Sequence, residues 1–523
     1  MAPAAKLLTL ISAGISRLNA THGAQCVVRV NEFLVQNHAG TTTPIRCKNW
    51  RAQWLGFPGS WKDRVYRTPP TIFDPESSSL FSCGNSFVDF EEPPLRFIQM
   101  LLQYFLPHAS QLGFFLDPDR FYERALLSLP FGDHRRPSPA LLCAVYLWGI
   151  HFSKETPPPN FSEADLLHRS REYVSLDISS PVHVEQIIQA QILLGTYLMH
   201  NGSLLQAELY CSGAATLAIG YQLHKIRSAR MPSDVVGQLA GDPVEEGERI
   251  RAFWAVTFLQ TSLCLAFGSR RPFYVLETLG PEIDAPWPLE IADYHASVLP
   301  RDYLGQQSIK HLLIDDSFPV STIYMLQTKA SVFCTTFHDC RVTAEMHSSA
   351  SPQMTSYPWL DTRISLFWQS LPPLHVFSGT ADPSASRSLA LSHALVAAAA
   401  IKLHRNAGAG VAAQAKTVAA ASGILECLRP TLRDGNVPTV HPVVGPLCAM
   451  ACSVLMAEVR TVRAFRQAWA ASLGPEFTPS ASTEEDALVA GVRDGLATMG
   501  VYAEESVLIA EQWKLVQEQY ATL

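Results

Sequence analysis

Charge is scarce in this chain. Only 17% of its 523 residues are Asp, Glu, Lys or Arg, against 47% hydrophobic residues. That balance excludes a chain kept disordered by its own charge and implies a large buried core. The net charge of -7 and the pI near 6.2 exclude a protein that coats nucleic acid or an anionic membrane with its whole surface. Paired cysteines are missing as well. The eleven are odd in number and scattered, with no C-x-x-C pair, so they form neither the disulfide framework of a small secreted domain nor a closed zinc site. A reducing compartment is the simpler reading.

Long apolar runs are also short of what a membrane needs. The most apolar stretch, residues 443–457, is broken by Pro446 and Ser453, and it reads as a buried helix. At the start of the chain, Arg17 interrupts the apolar run, so a secretory signal is not expected. Strand-type alternation is nearly absent, and catalytic signatures are lacking: there is no G-x-S-x-G elbow, phosphate-cradling P-loop or H-E-x-x-H helix. No catalytic residue and no metal ligand set is therefore assigned, and a non-enzymatic role is expected.

What is present is helical periodicity and a charge asymmetry. Up to Pro70, nine basic residues (Lys6, Arg17, Arg29, Arg46, Lys48, Arg51, Lys62, Arg64, Arg67) stand against Glu32 and Asp63, a net +7, which leaves -14 for residues 71–523. Residues 1–92 thus read as a basic, irregular arm. From residue 93 onward, helix starts follow one another. Asp117-Pro118 and Ser138-Pro139 pair an N-cap with a proline at the first helical position, and Ser162 with Asp165 forms a capping box. Two apolar runs, 182–199 and 203–223, meet at Asn201-Gly202 as an antiparallel pair, and a long helix from Glu245 to Phe267 closes at Gly268. The expected fold is all-α, a large array of antiparallel helical pairs. The expected divisions are the arm (1–92), a main helical region (93–345), a linker with one short helix (346–385) and a C-terminal helical part of the same body (386–523).

Six blocks of this array, taken in order, resemble the fungal-specific transcription factor regulatory domain, also called the middle homology region. They include LLQYFLPHASQLGFFLDPDRF (101–121), PSPALLCAVYLWGIHFS (137–153), the helix pair of 184–226 ending in Leu223-His224-Lys225, and EGERIRAFWAVTFLQTSLCLAFGSRRPF (246–273). ALVAAAAIKLHRNAG and VHPVVGPLCAMACSVLMAEV are similar to later helices of the same family. Three positions depart from its pattern: Gln260 stands where aspartate is frequent, Thr216 where arginine is, and Gln222 where glycine is.

The resemblance implies a nuclear regulator of RNA polymerase II genes. Its implied partners are DNA, a second copy of the chain, the transcription machinery or regulatory proteins, and a small-molecule effector, with no membrane. In that family DNA is read by a zinc binuclear cluster held by six thiolates. Only Cys26, Cys47 and Cys83 precede residue 140 here, so no zinc and no DNA-binding residue is assigned to this chain. An interaction scaffold that has lost DNA binding is the alternative reading.

Several residues invite sharper readings. Arg249, Arg251, Arg270 and Arg271 flank one helix rich in aromatics and form a candidate regulatory seam; the plainer reading is dipole complementation and pairing with Glu245, Glu246 and Glu248. Cys448 and Cys452 are expected to pack in the core, and Cys334, His338, Asp339, Cys340 and His347 to lie on a satisfied or solvated helix face. Asp315-Asp316 fits a helix start, and Arg460, Arg463 and Arg466 a solvated stripe.

Overall fold

The computed structural model describes residues 92–153, 157, 161–179, 183–230, 242–268, 275–300, 302–314, 321–336, 356–377, 383–406, 410–429, 439–473 and 483–523. The basic arm before residue 92 lies outside them. Among the described residues the regular structure is helical, apart from an isolated bridge between Ser228 and Gly305. The all-α expectation holds.

In chain order the helices begin with α1 (Leu95–Phe105), α2 (Pro118–Ala125), α3 (Pro139–Phe152), α4 (Glu163–Ser179), α5 (Val184–His200) and α6 (Leu204–Gly220). Then come α7 (Pro243–Phe267), α8 (Val275–Leu279), α9 (Ile291–His295), α10 (Ser308–Ile314), α11 (Ile323–Thr336) and α12 (Tyr357–Ser370). The chain finishes with α13 (Pro383–Asn406), α14 (Val411–Cys427), α15 (Val444–Leu473), α16 (Thr483–Ala503) and α17 (Val507–Ala521).

The starts follow the chemistry of the caps. The Asp117 carboxylate accepts the amides of Asp119 and Arg120, Ser138 Oγ accepts that of Leu141, and Ser162 and Asp165 serve each other's amides. Gly268 ends α7 at φ 60°, a left-handed conformation that costs glycine nothing. Gln222 sits after α6 at φ 56° without that freedom. A glycine there would avoid a cost of roughly 1–2 kcal/mol.

Neighbours in sequence pack as antiparallel pairs: α5 with α6, α13 with α14, α15 with α16, and α16 with α17. At the centre lie α5 and α7. Every residue of α5 is buried, and so are most of α7. Gly195 lets the two come close, since a Cβ there would stand 2.9 Å from a Leu259 methyl. The buried glutamines of α5 serve loop backbone: Gln189 accepts the Phe115 amide at 2.7 Å and donates to the Gly113 carbonyl, while Gln186 accepts the Ser138 amide. One continuous apolar core runs from Ile98 to Val516. It includes α12 of the segment read as a linker, where Phe367 stacks on Phe333 at 4.6 Å.

One expectation needs correction. Three helices, 243–267, 383–406 and 444–469, are long and apolar enough to cross a membrane by length and composition. The sequence reading missed them because it looked for uninterrupted apolar runs. In the fold most of each span is buried against protein, 94% in α7.

Trp254 anchors this centre. Only 1% exposed, it donates from Nε1 to the Pro286 carbonyl at 2.7 Å and stacks on Trp287 at 4.5 Å. Trp254→Ala is expected to cost about 3–5 kcal/mol. Chemical denaturation measures this; an unchanged midpoint would remove Trp254 from the core.

Candidate functional site

Of the candidate seam, Arg249 and Arg251 lie among the described residues. Arg249 is partly exposed and pairs with Glu245 at 2.7 Å, one helical turn earlier. Arg251 points into the protein, 7% exposed, with its guanidinium 4.4 Å from the centre of the Tyr324 ring. Two residues apart on a helix, the two side chains face different sides. Arg270 and Arg271 lie outside the described residues. Gln260 is buried too, and its carboxamide oxygen accepts the Val275 amide at 3.2 Å, tying α8 to α7. At the third departing position, Thr216 Oγ1 donates back to the Ser212 carbonyl.

Several of the other flagged residues lie among the described ones. Cys448 and Cys452 lie in the core of α15, and burial pushes the Cys452 thiol up to about 12. Of the mixed cluster only Cys334 is described; it is buried, and its carbonyl accepts Lys402 Nζ at 3.2 Å. His338, Asp339, Cys340 and His347 lie outside the described residues, as do Asp315, Asp316, Cys26, Cys47 and Cys83. Arg463 and Arg466 are not free in solvent: both reach the buried Glu485 at 2.7 Å. No group of three or more metal-ligating side chains occurs among the described residues.

Ion pairs, one of them buried on both sides, hold the loops around α7. Arg227 meets Glu246 at 2.7 Å with both side chains 7% exposed, and Arg230 meets the fully buried Asp284 at 2.6 Å. At the point where the arm enters, Glu92 receives Arg136 at 2.6 Å and the Tyr146 hydroxyl at 2.8 Å. Near α2, His295 Nε2 lies 2.7 Å from the buried Asp117 carboxylate. The Asp117 amide donates to Glu248, whose carboxyl is pushed up to about 7 by burial and by neighbouring Glu185 and Asp117.

The densest constellation of titratable and aromatic groups was not anticipated. It lies where the ends of α3 and α5 meet the C-terminal helices. The His151 and His200 rings stand edge to face at 4.9 Å, and Trp148 contacts both, as well as Tyr197. Glu163, at the start of α4, receives the Tyr197 hydroxyl and lies 3.4 Å from His151 Nδ1; the contact with His151 leads the effects that lower its pKa. His441 lies buried beyond, edge on to Phe258 at 5.0 Å, with its Nδ1 accepting the Val443 amide. Burial, reinforced by His151, holds His200 down to about 3, and burial reinforced by His200 does the same to His441. Both imidazoles are therefore neutral at pH 7. His200 Nδ1 has no hydrogen-bond partner.

A cleft of about 20 Å³ opens beside His200. Phe152, Thr439, Val440, Tyr502, Glu505, Ser506 and Ile509 complete its lining. The side chains come from four separate parts of the sequence, which is why no local pattern announced them.

Together these observations define an all-α protein with a sealed helical centre and a small polar cleft at a helical junction. Residues 101–278 match the family model of the fungal specific transcription factor domain. That part of the chain is similar to the family, as the blocks between residues 101 and 273 suggested; the later similar blocks lie beyond the match. No curated protein and no solved structure matches the chain.

The histidines set a pH dependence. A neutral buried imidazole whose folded pKa is near 3, against about 6.5 when unfolded, binds its proton more readily in the unfolded chain. Its contribution to stability is full above pH 6.5 and is lost as pH falls towards 3. Between pH 7 and pH 5, His200 and His441 should each remove about 2 kcal/mol. Denaturant titrations at the two pH values check this. His441→Gln should flatten the dependence, and an unchanged slope would contradict the assignment.

Proposed function

We propose that the chain is a nuclear regulator of RNA polymerase II genes. Its helical body senses a signal, a metabolite or a partner, and alters dimerisation or activation. In this reading DNA is read through a zinc binuclear cluster that is not among the residues of this sequence. The observation that carries the reading is the match of residues 101–278 to the fungal specific transcription factor domain. That span contains the sealed pair α5 and α7. The domain family is one of transcription factors, which supports a non-enzymatic role, and the burial of the three long apolar helices supports a protein that works without a membrane.

A second reading has its own support. The scattered cysteines of this sequence fit a scaffold that acts through protein contacts alone, without reading DNA.

A tethering experiment separates the proposal from its failure. The full chain, fused to a heterologous DNA-binding module, should enter the nucleus and change transcription of a reporter carrying that module's site. The chain alone should bind duplex DNA weakly, without sequence preference, and lose that binding as salt rises. An unchanged reporter would contradict the regulatory role. Selective binding by the chain alone at physiological salt would show that this chain reads DNA itself.

A further inference from the structure

The outward side of α6 lacks the charge that a water-facing helix normally carries. Its buried residues, from Leu204 to Ala218, face α5 and α7. Successive helical residues turn by about 100°, so Leu205, Leu209, Ser212, Gly213, Thr216 and Gly220 share one stripe on the opposite side. Leu205 is 48% exposed and Leu209 60%. None of the six is charged, and Glu208, the one charged residue of the helix, stands at the edge of the stripe.

Two exposed leucines alone select no partner. The order of residues along the stripe does. Large side chains occupy its first half and small ones its second. Two copies laid antiparallel, about a two-fold axis between residues 212 and 213, bring Leu205 opposite the partner's Gly220. Leu209 then meets the partner's Thr216, and Ser212 the partner's Gly213. A two-fold interface requires such a pattern, because the same patch serves both copies and residue i meets j where j meets i. An unrelated partner sets no such condition.

Three further observations fit this occupant. Nothing lies within 4 Å of where a Cβ on Gly220 would stand, so packing inside the protein does not call for a glycine there. The hydroxyls of the stripe are already served: Thr216 Oγ1 donates to the Ser212 carbonyl at 2.8 Å and Ser212 Oγ to the Glu208 carboxylate at 3.4 Å. Covering them strands no donor. Exposed apolar surface also continues past both ends of the helix. Val507, at the start of α17, has a methyl 3.6 Å from the Cβ position of Gly202, and Tyr221 follows Gly220. In the antiparallel pair, Val507 of one copy and the partner's Tyr221 come to the same end.

We propose that α6 is a dimer interface, pairing antiparallel with α6 of a second copy of this chain. The stripe is about 23 Å long, which places the interface at the small end of the range for specific pairs. The dimer is therefore weak and follows concentration. It stands apart from the regulatory reading above, since sedimentation reads it whether or not a reporter responds.

The test uses the full chain. In sedimentation velocity between roughly 1 and 100 μM, wild type shifts from monomer towards dimer. Leu209→Glu places a carboxylate in the stripe and abolishes the shift, with the denaturation midpoint unchanged because the residue is exposed. Adding Thr216→Lys to Leu209→Glu restores the dimer, since each glutamate then faces the partner's lysine. Cross-linking keeps the test independent of any effect of glutamate on folding. Under mild oxidation Ser212→Cys, beside the axis, links to its own copy. Leu205→Cys, about 11 Å from the axis along the helix, gives only the background of wild type treated alongside. The proposal is overturned if wild type stays monomeric to about 100 μM, the result expected if the stripe serves a different protein. It is also overturned if Leu209→Glu associates as wild type does, or if Leu205→Cys links as readily as Ser212→Cys.

Discussion

A helix with no side facing water must be enclosed from every direction, and α5 is such a helix. Its backbone is satisfied internally, but its side chains include Glu185, three glutamines, Thr196 and His200. Burial of polar groups is tolerable only when they are paired. The loops before α2 and α3 are accordingly drawn onto Gln189 and Gln186. The rest of the architecture follows from wrapping α5: α3, α4, α6 and α7 cover its flanks, and α17 closes its C-terminal end. His200, at that end, marks where the wrapping is least complete.

The same logic explains the ion pairs. Arg227 with Glu246, and Arg230 with Asp284, sit where loops cross the rim of α7. Removing either partner of the first pair, or Arg230 from the second, would strand a charge away from water, so the pairs fix loop paths more than they add stability. Arg251 solves the problem differently, laying its guanidinium on the Tyr324 ring and so pinning α11 to α7.

Helix ends were the most legible feature of the sequence. Asp117, Ser138, Ser162 with Asp165, and Gly268 act through neighbours two to four residues away, so a local pattern contains the whole mechanism. Burial around a helix was less legible. Arg251 reads as a surface cation until Tyr324 is known to lie over it. The short helices α9 and α10 span too few residues for an apolar period to show, and they are held by tertiary contacts, such as Ser308 Oγ to the Ala285 carbonyl, more than by propensity. The histidine cluster was the least legible. His151, His200 and His441 are far apart in the chain, and each alone reads as an ordinary core residue.

The central claim is that the helices of residues 101–278 and the C-terminal helices α13–α17 form one body. It rests on contacts such as Ser506 with His200, Gln111 with Ser388, and α7 with α15. Hydrogen exchange measured by mass spectrometry across a denaturant series tests it most directly. Peptides from α5 and from α15 and α17 should lose protection together, at one denaturant concentration, as parts of one cooperative unit. Loss of protection in α15–α17 at clearly lower denaturant, while α5 stays protected, would show two separately folding units and contradict the account.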